Sequence, residues 1–131
     1  MTGWRGYLAV GLGSGLGALA RHLVGLGMLQ ALGSAFLWGT LAVNLVGSWL
    51  IAACAARVGH RVTGHAARWQ PFLMAGFCGG FTTFSLFGLE TLYLLETSRP
   101  GLALAYGVGS VPLWLAAAWW GRRVGRPGVG P

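Results

Sequence analysis

Four long apolar stretches, separated by short polar or glycine-bearing connections, make up most of the chain. They run from about Tyr7 to Leu29, Ala35 to Ala56, Pro71 to Leu95 and Leu102 to Trp120. A helix needs ~20 apolar residues to cross the hydrocarbon of a bilayer. The pattern therefore predicts an all-α membrane protein of four transmembrane helices, occupying 1–131 as one domain. The connections are the turn Gly33-Ser34, an arginine-bearing loop from Arg57 to Trp69, and a short loop from Glu96 to Pro100. Pro71 suits the first turn of the third helix, where a missing N–H costs nothing. The tail, Gly121 to Pro131, is basic and rich in glycine and proline, and is expected to be disordered. Trp4, Trp38, Trp69, Trp119 and Trp120 fall near predicted span ends, where amphipathic rings anchor at the interface.

Composition strengthens this reading. Hydrophobic residues are 55% of the chain and charged residues 8%, against about 25% charged in soluble domains. Such a chain cannot cover a water-soluble fold with charge. Its 24 glycines would weaken soluble helices but suit closely packed membrane ones. The net charge of +7 comes from nine arginines against Glu90 and Glu96. No aromatic-studded basic stripe exists to hold bases, so nucleic acid is not an expected partner. Cys54 and Cys78 lie inside apolar stretches without CxxC or zinc spacing and read as packing residues. Met1 to Arg5 is too brief for a separate signal peptide, so the first apolar run is expected to be retained.

Charge also bears on orientation. Four spans put the N-terminus, the central loop and the tail on one side, with Arg5, Arg57, Arg61, Arg68, Arg122, Arg123 and Arg126. The other side has Arg99, joined by Arg21 if that side chain snorkels. The positive-inside rule then places both termini in the cytoplasm.

The third stretch is unlike the others. It reads Gly76-Phe-Cys-Gly79-Gly80-Phe81-Thr82-Thr83-Phe84-Ser85-Leu86-Phe87-Gly88-Leu-Glu90. Adjacent glycines and adjacent β-branched threonines near mid-span disfavour continuous helix. A break frees backbone carbonyls that protein, water or an ion must satisfy, and discontinuous helices commonly build ion sites this way. A tight helix crossing that needs glycine is the competing explanation.

Polar residues recur on the neighbouring stretches. Asn44 stands mid-span in the second, with Thr40 and Ser48 one turn away on the same face. Tyr106 and Ser110 share a face of the fourth. Each alone reads as interhelical glue; together they also suit a polar track. Arg21 and Glu90 are costly inside a membrane and functional by default, and Glu90 calls for an arginine or a hydroxyl cluster beside it. Phe84 and Phe87, three apart, share a helix face; core packing is the plain explanation, and positive ring edges aimed at a small anion the sharper one. His22, His60 and His65 have no carboxylate or cysteine at ligand spacing and read as surface or interfacial. There is no aspartate, so no Ser/His/Asp set can form, and no enzyme is expected.

The first stretch contains Gly13-Ser-Gly15-Leu-Gly17-Ala18, which fits the GxGxxA form of the dinucleotide fingerprint. That fingerprint needs a preceding strand and an acidic residue about twenty positions on, and neither is present. The pairs Gly11/Gly15 and Gly13/Gly17 are better explained as a helix-packing face.

Taken together, these residues resemble the CrcB/Fluc family of fluoride channels. Gly13, Gly17 and Arg21 look like its first helix, and Gly39-Thr40-Leu41 with Val43-Asn44 and Gly47 like its second. The run from Gly76 through Gly79-Gly80, Thr82-Thr83-Phe84-Ser85 and Phe87 to Glu90 is the most specific stretch. The resemblance implies an antiparallel dimer with two fluoride pores. It also implies a structural sodium ion held by main-chain carbonyls of Gly79 and Thr82, with no organic cofactor. It would make Phe84 and Phe87 ring-edge fluoride contacts and Asn44 an amide donor. Ser110, Tyr106 and Thr83 would be polar-track residues, and Arg21 would shape an electropositive vestibule. The chain departs from the family at Leu86, where a hydroxyl is frequent, and at Trp114, where a small hydroxyl residue often stands.

Two other classes compete. A small multidrug exporter also has four helices, but needs a carboxylate in its first, where this chain has Arg21. A membrane subunit without transport would not require polar residues at mid-span. The one-sided arginine distribution adds an expectation of its own: a second, oppositely biased homologous chain as partner rather than an identical one.

Overall fold

The computed structural model describes residues 3–33, 37–58 and 64–126. Ser34, His60, Arg61, the first residues of the predicted second span and the tail beyond Arg126 lie outside them.

Each apolar stretch folds as helix because the bilayer leaves backbone polar groups no partners but one another. Four segments are long and apolar enough to span, and no strand occurs among the described residues. Helix α1 is Trp4–Leu32 and α2 is Trp38–Val58. Between them Gly33 turns the chain at φ 76°, a left-handed conformation that glycine adopts without strain, and returns its N–H to the Leu29 carbonyl at 3.0 Å. The third span is composite. It begins as α3 (His65–Gln70), widens into a π-helix (Pro71–Cys78), tightens into α4 (Gly79–Phe81) and resumes after a break as α5 (Ser85–Glu96). Helix α6 is Pro100–Gly125.

Several boundaries differ from the sequence reading. Pro71 does not open the third helix; helix already runs from His65. Proline lacks an N–H and crowds the preceding turn, and the wide π turns begin at this residue. The segment Gly121–Gly125 is helical, so the expectation of a disordered tail fails there. Its cause is packing: both glycines are buried against α2.

Small residues determine how the spans cross. A methyl group on Gly13 would strike the Phe72 carbonyl, one on Gly17 the Phe77 carbonyl, and one on Gly80 the Ser14 carbonyl. Contacts advance together along both helices, so spans one and three cross in parallel. Spans two and four do the same: Gly121 lies on the Trp49 carbonyl and Gly125 on that of Ala53. This is close small-xxx-small packing used twice. Of the two pairs read from the first span, only Gly13/Gly17 serves it, since Gly11 and Gly15 have nothing within 4 Å. Residues two apart point about 200° apart around a helix, so both pairs cannot face the same neighbour.

Candidate functional site

The break in the third span falls at Thr82–Phe84, not at the glycine pair. Thr82 is extended at φ −87° and ψ 158°. Gly79 and Gly80 remain helical, and Gly80 serves the contact with Ser14.

Helix α2 supports the break residue by residue. Asn44 accepts the Thr83 N–H on Oδ1 at 2.8 Å and donates from Nδ2 to the Thr83 carbonyl at 2.9 Å. One turn on, Gly47 leaves room for the Thr82 side chain, which a methyl group there would strike. Thr82 Oγ1 donates back to the Cys78 carbonyl at 2.8 Å.

These bonds have a consequence for two carbonyls. In a continuous helix Gly79 would accept from the N–H of Thr83, and Thr82 from that of Leu86. Instead the Thr83 N–H is directed at Asn44, and the Leu86 N–H at Thr83 Oγ1, 3.2 Å away. The carbonyls of Gly79 and Thr82 have thus lost their usual helical donors. They are hard oxygen donors on either side of the point where the helix parts, Gly79 in its last turn and Thr82 in the extended link, and carbonyls so placed are of the kind that suits an alkali cation.

Beyond the break stands an aromatic cluster. Phe84 and Phe87 have ring centroids 5.6 Å apart. Phe87 is buried at 6% exposure, with Tyr106 at 5.0 Å and Trp114 edge-on at 4.6 Å. Phe84 is 72% exposed, with the Trp114 ring edge-on at 6.5 Å. Ser110 is buried on α6 between Tyr106 and Trp114.

Two hollows meet at Thr83. One, about 390 Å³, is lined by Asn44, Ser48, Gly79, Thr82, Phe84 and Trp114. The other, about 610 Å³, has Arg21 and His22 on one wall and Thr40, Ser85 and Leu86 on the other. Arg21 thus places positive charge on the wall of a hollow that reaches Thr83 at the break.

Glu90 lies past the second hollow. Its Oε1 accepts a short hydrogen bond from Thr40 Oγ1 and a longer one, 3.5 Å, from the Tyr106 hydroxyl. Of the partners expected for this carboxylate, hydroxyls are the ones found. The sequence does not reveal the pairing of Thr40 with Glu90, for Thr40 stands out there as a neighbour of Asn44 and as part of the Gly39-Thr40-Leu41 run; their separation of 50 residues leaves no local signal. Trp114 was likewise seen as a departure, not as the residue that packs on both phenylalanines. His65 stands apart at the start of α3.

A four-span membrane protein whose third span is unwound, pinned by an amide and flanked by ring edges and hydroxyls, is built to pass or hold an ion. Residues 8–122 match the family described as CrcB-like protein, Camphor Resistance (CrcB). The fluoride-specific ion channel FluC of Nitrobacter winogradskyi is 45% identical over 120 residues, 87% of this chain and 90% of that protein. The fluoride-specific ion channel FluC of Rhizobium meliloti is 46% identical over 114 residues, with the same shares covered. That of Caulobacter vibrioides is 39% identical over 119 residues, 91% of this chain and 94% of the relative. The chain belongs to the CrcB family, whose named relatives are channels and not enzymes.

Proposed function

We propose that this chain is a subunit of a fluoride-selective channel that lets cytoplasmic fluoride leave passively across the cell membrane. The observation that carries the reading is the cleft at the break: Asn44 pinned to Thr83, beside ring edges at Phe84 and Phe87. Fluoride is small and strongly hydrated, so a pore must replace its water with donors and positive edges. Hydroxyls at Thr83, Ser110 and Tyr106, and the second N–H of the Asn44 amide, are of that kind.

The wide exposure of Phe84 supports an assembly of two chains, because a lone subunit leaves that ring uncovered on one side. An antiparallel dimer would enclose two paths and bring the Gly79 and Thr82 carbonyls of both subunits around one sodium ion. Both termini would be cytoplasmic. The seven arginines on the cytoplasmic side favour a homologous partner of opposite bias over an identical chain.

Fluoride efflux from proteoliposomes, followed with a fluoride-selective electrode, tests the function. Efflux without chloride leak is expected from the chain together with its partner. No efflux from correctly inserted, partnered protein overturns it. A conducting dual-topology homodimer formed by the chain alone would overturn the two-chain proposal while leaving the channel intact.

A further inference from the structure

At the end of the bundle that carries the N-terminus, α1 and the start of the third span enclose a groove of about 460 Å³. Its mouth is formed by two dipeptides in reverse order, Trp4-Arg5 and Arg68-Trp69. Its floor is apolar, made by Leu8, Ala9, Leu12 and Phe72. Trp4 and Trp69 are 70% and 55% exposed, so the rings stand beside the opening. The Arg5 guanidinium lies 5.8 Å from the Trp4 ring centroid, and Phe72 meets Trp69 edge-on at 5.8 Å. No acidic side chain balances the two arginines: the chain's only ones, Glu90 and Glu96, are on α5, beyond the break.

We propose that this groove is a binding site for an anionic glycerophospholipid. The two guanidinium groups receive its phosphate, for which their planar donor forks are matched. One acyl chain lies along the apolar floor. From Trp4 to Leu12 the helix rises about 12 Å at ~1.5 Å per residue, which carries the groove from headgroup depth into the hydrocarbon. The tryptophans flank the glycerol region, where amphipathic rings reside. Basic pockets between membrane helices with an apolar continuation have this preference for charged lipid. The charge complementarity distinguishes this occupant from a zwitterionic lipid or a second copy of the chain. The proposal rests on the membrane fold alone and is independent of which ion is conducted.

The test uses the full chain purified in detergent and titrated with phosphatidylglycerol or phosphatidylcholine, read by thermal unfolding and by lipid retention in native mass spectrometry. Phosphatidylglycerol is expected to raise Tm and to be retained, and phosphatidylcholine to do neither. R5Q/R68Q should raise the half-saturating phosphatidylglycerol concentration about thirtyfold, the scale of two juxtamembrane charges. R122Q/R123Q, at a different site on the same predicted membrane face, should leave it unchanged. Ala9→Phe keeps both arginines and fills the floor, and should also abolish the shift. Equal stabilisation by both lipids, or equal losses in the two arginine variants, would overturn the proposal. Retention of the shift in Ala9→Phe, or its reproduction by inorganic phosphate, would also overturn it, because the acyl chain would then have no part.

Discussion

The Asn44 amide closes a two-point bond with Thr83, accepting its N–H at 2.8 Å and donating to its carbonyl at 2.9 Å. A side chain on α2 thereby replaces the ladder that the third span lacks at its break. Asn44→Ala should remove both bonds and cost roughly 1–3 kcal/mol, as expected when buried backbone groups lose partners. Fluoride efflux should fall about tenfold or more, since a factor of ten in rate corresponds to only ~1.4 kcal/mol of barrier. Unfolding in mixed detergent and electrode-detected efflux measure the two effects.

Glycine at the crossings is a steric requirement. Gly80→Ala places a methyl on the Ser14 carbonyl, and Gly121→Ala places one on the Trp49 carbonyl. Each should destabilise by about 1–3 kcal/mol, the usual range for overpacking. Gly101→Ala, with nothing within 4 Å, should stay within about 0.5 kcal/mol of the parent. Thermal unfolding of the three variants checks the contrast, and a stable Gly121→Ala would contradict the packing of the α6 end.

Glu90 joins three spans through Thr40 and Tyr106. A double-mutant cycle of Thr40→Val with Glu90→Gln should give a coupling of about 0.6–1.7 kcal/mol, between the average and the maximum for hydrogen bonds between membrane helices. The cycle of Tyr106→Phe with Glu90→Gln should give less, because that bond is 3.5 Å long. Additive effects in the first cycle would mean that the Thr40 contact carries no stability.

Trp114 holds Phe87 edge-on at 4.6 Å, and its buried indole N–H has no hydrogen-bond partner. Trp114→Ser introduces a small hydroxyl but empties the space beside both phenylalanines. It should cost about 2–3 kcal/mol, less than the ~3–5 kcal/mol for a fully buried tryptophan, because Trp114 is only partly buried. Trp114→Phe keeps most of the packing and removes the unpartnered donor, so it should unfold at or near the parent temperature. A Trp114→Ser variant as stable as the parent would show that the aromatic cluster does not depend on this ring.

The two phenylalanines should separate in their effects. Phe84 is exposed, so Phe84→Ile should lower efflux with little change in unfolding. Phe87 is buried, so Phe87→Ile should lower both. Equal efflux in Phe84→Ile and the parent would remove that ring edge from the ion path.

The spans and the break were legible because their signals are local. Twenty apolar residues in succession demand a helix in hydrocarbon whatever surrounds them, and consecutive threonines after paired glycines weaken that helix wherever it sits. Where within this run the helix parts was not local. Gly79 and Gly80 keep their turn because α1 approaches at Ser14, and the chain opens instead at Thr82, where Asn44 and Gly47 of α2 receive it. The end of α6 was misread for the same reason: Gly121 and Gly125 resemble a loop in isolation, yet become a helix surface once α2 lies against them.

The sequence by itself determined the membrane class, the number of spans, the third span as the discontinuous one, and which polar residues lie within the spans. Only the tertiary structure decided which of them meet one another. Asn44 and Thr83 are 39 residues apart, and Thr40 and Glu90 are 50 apart. No helical or strand period connects such positions; helix crossings do, and those depend on which small residues let two backbones approach.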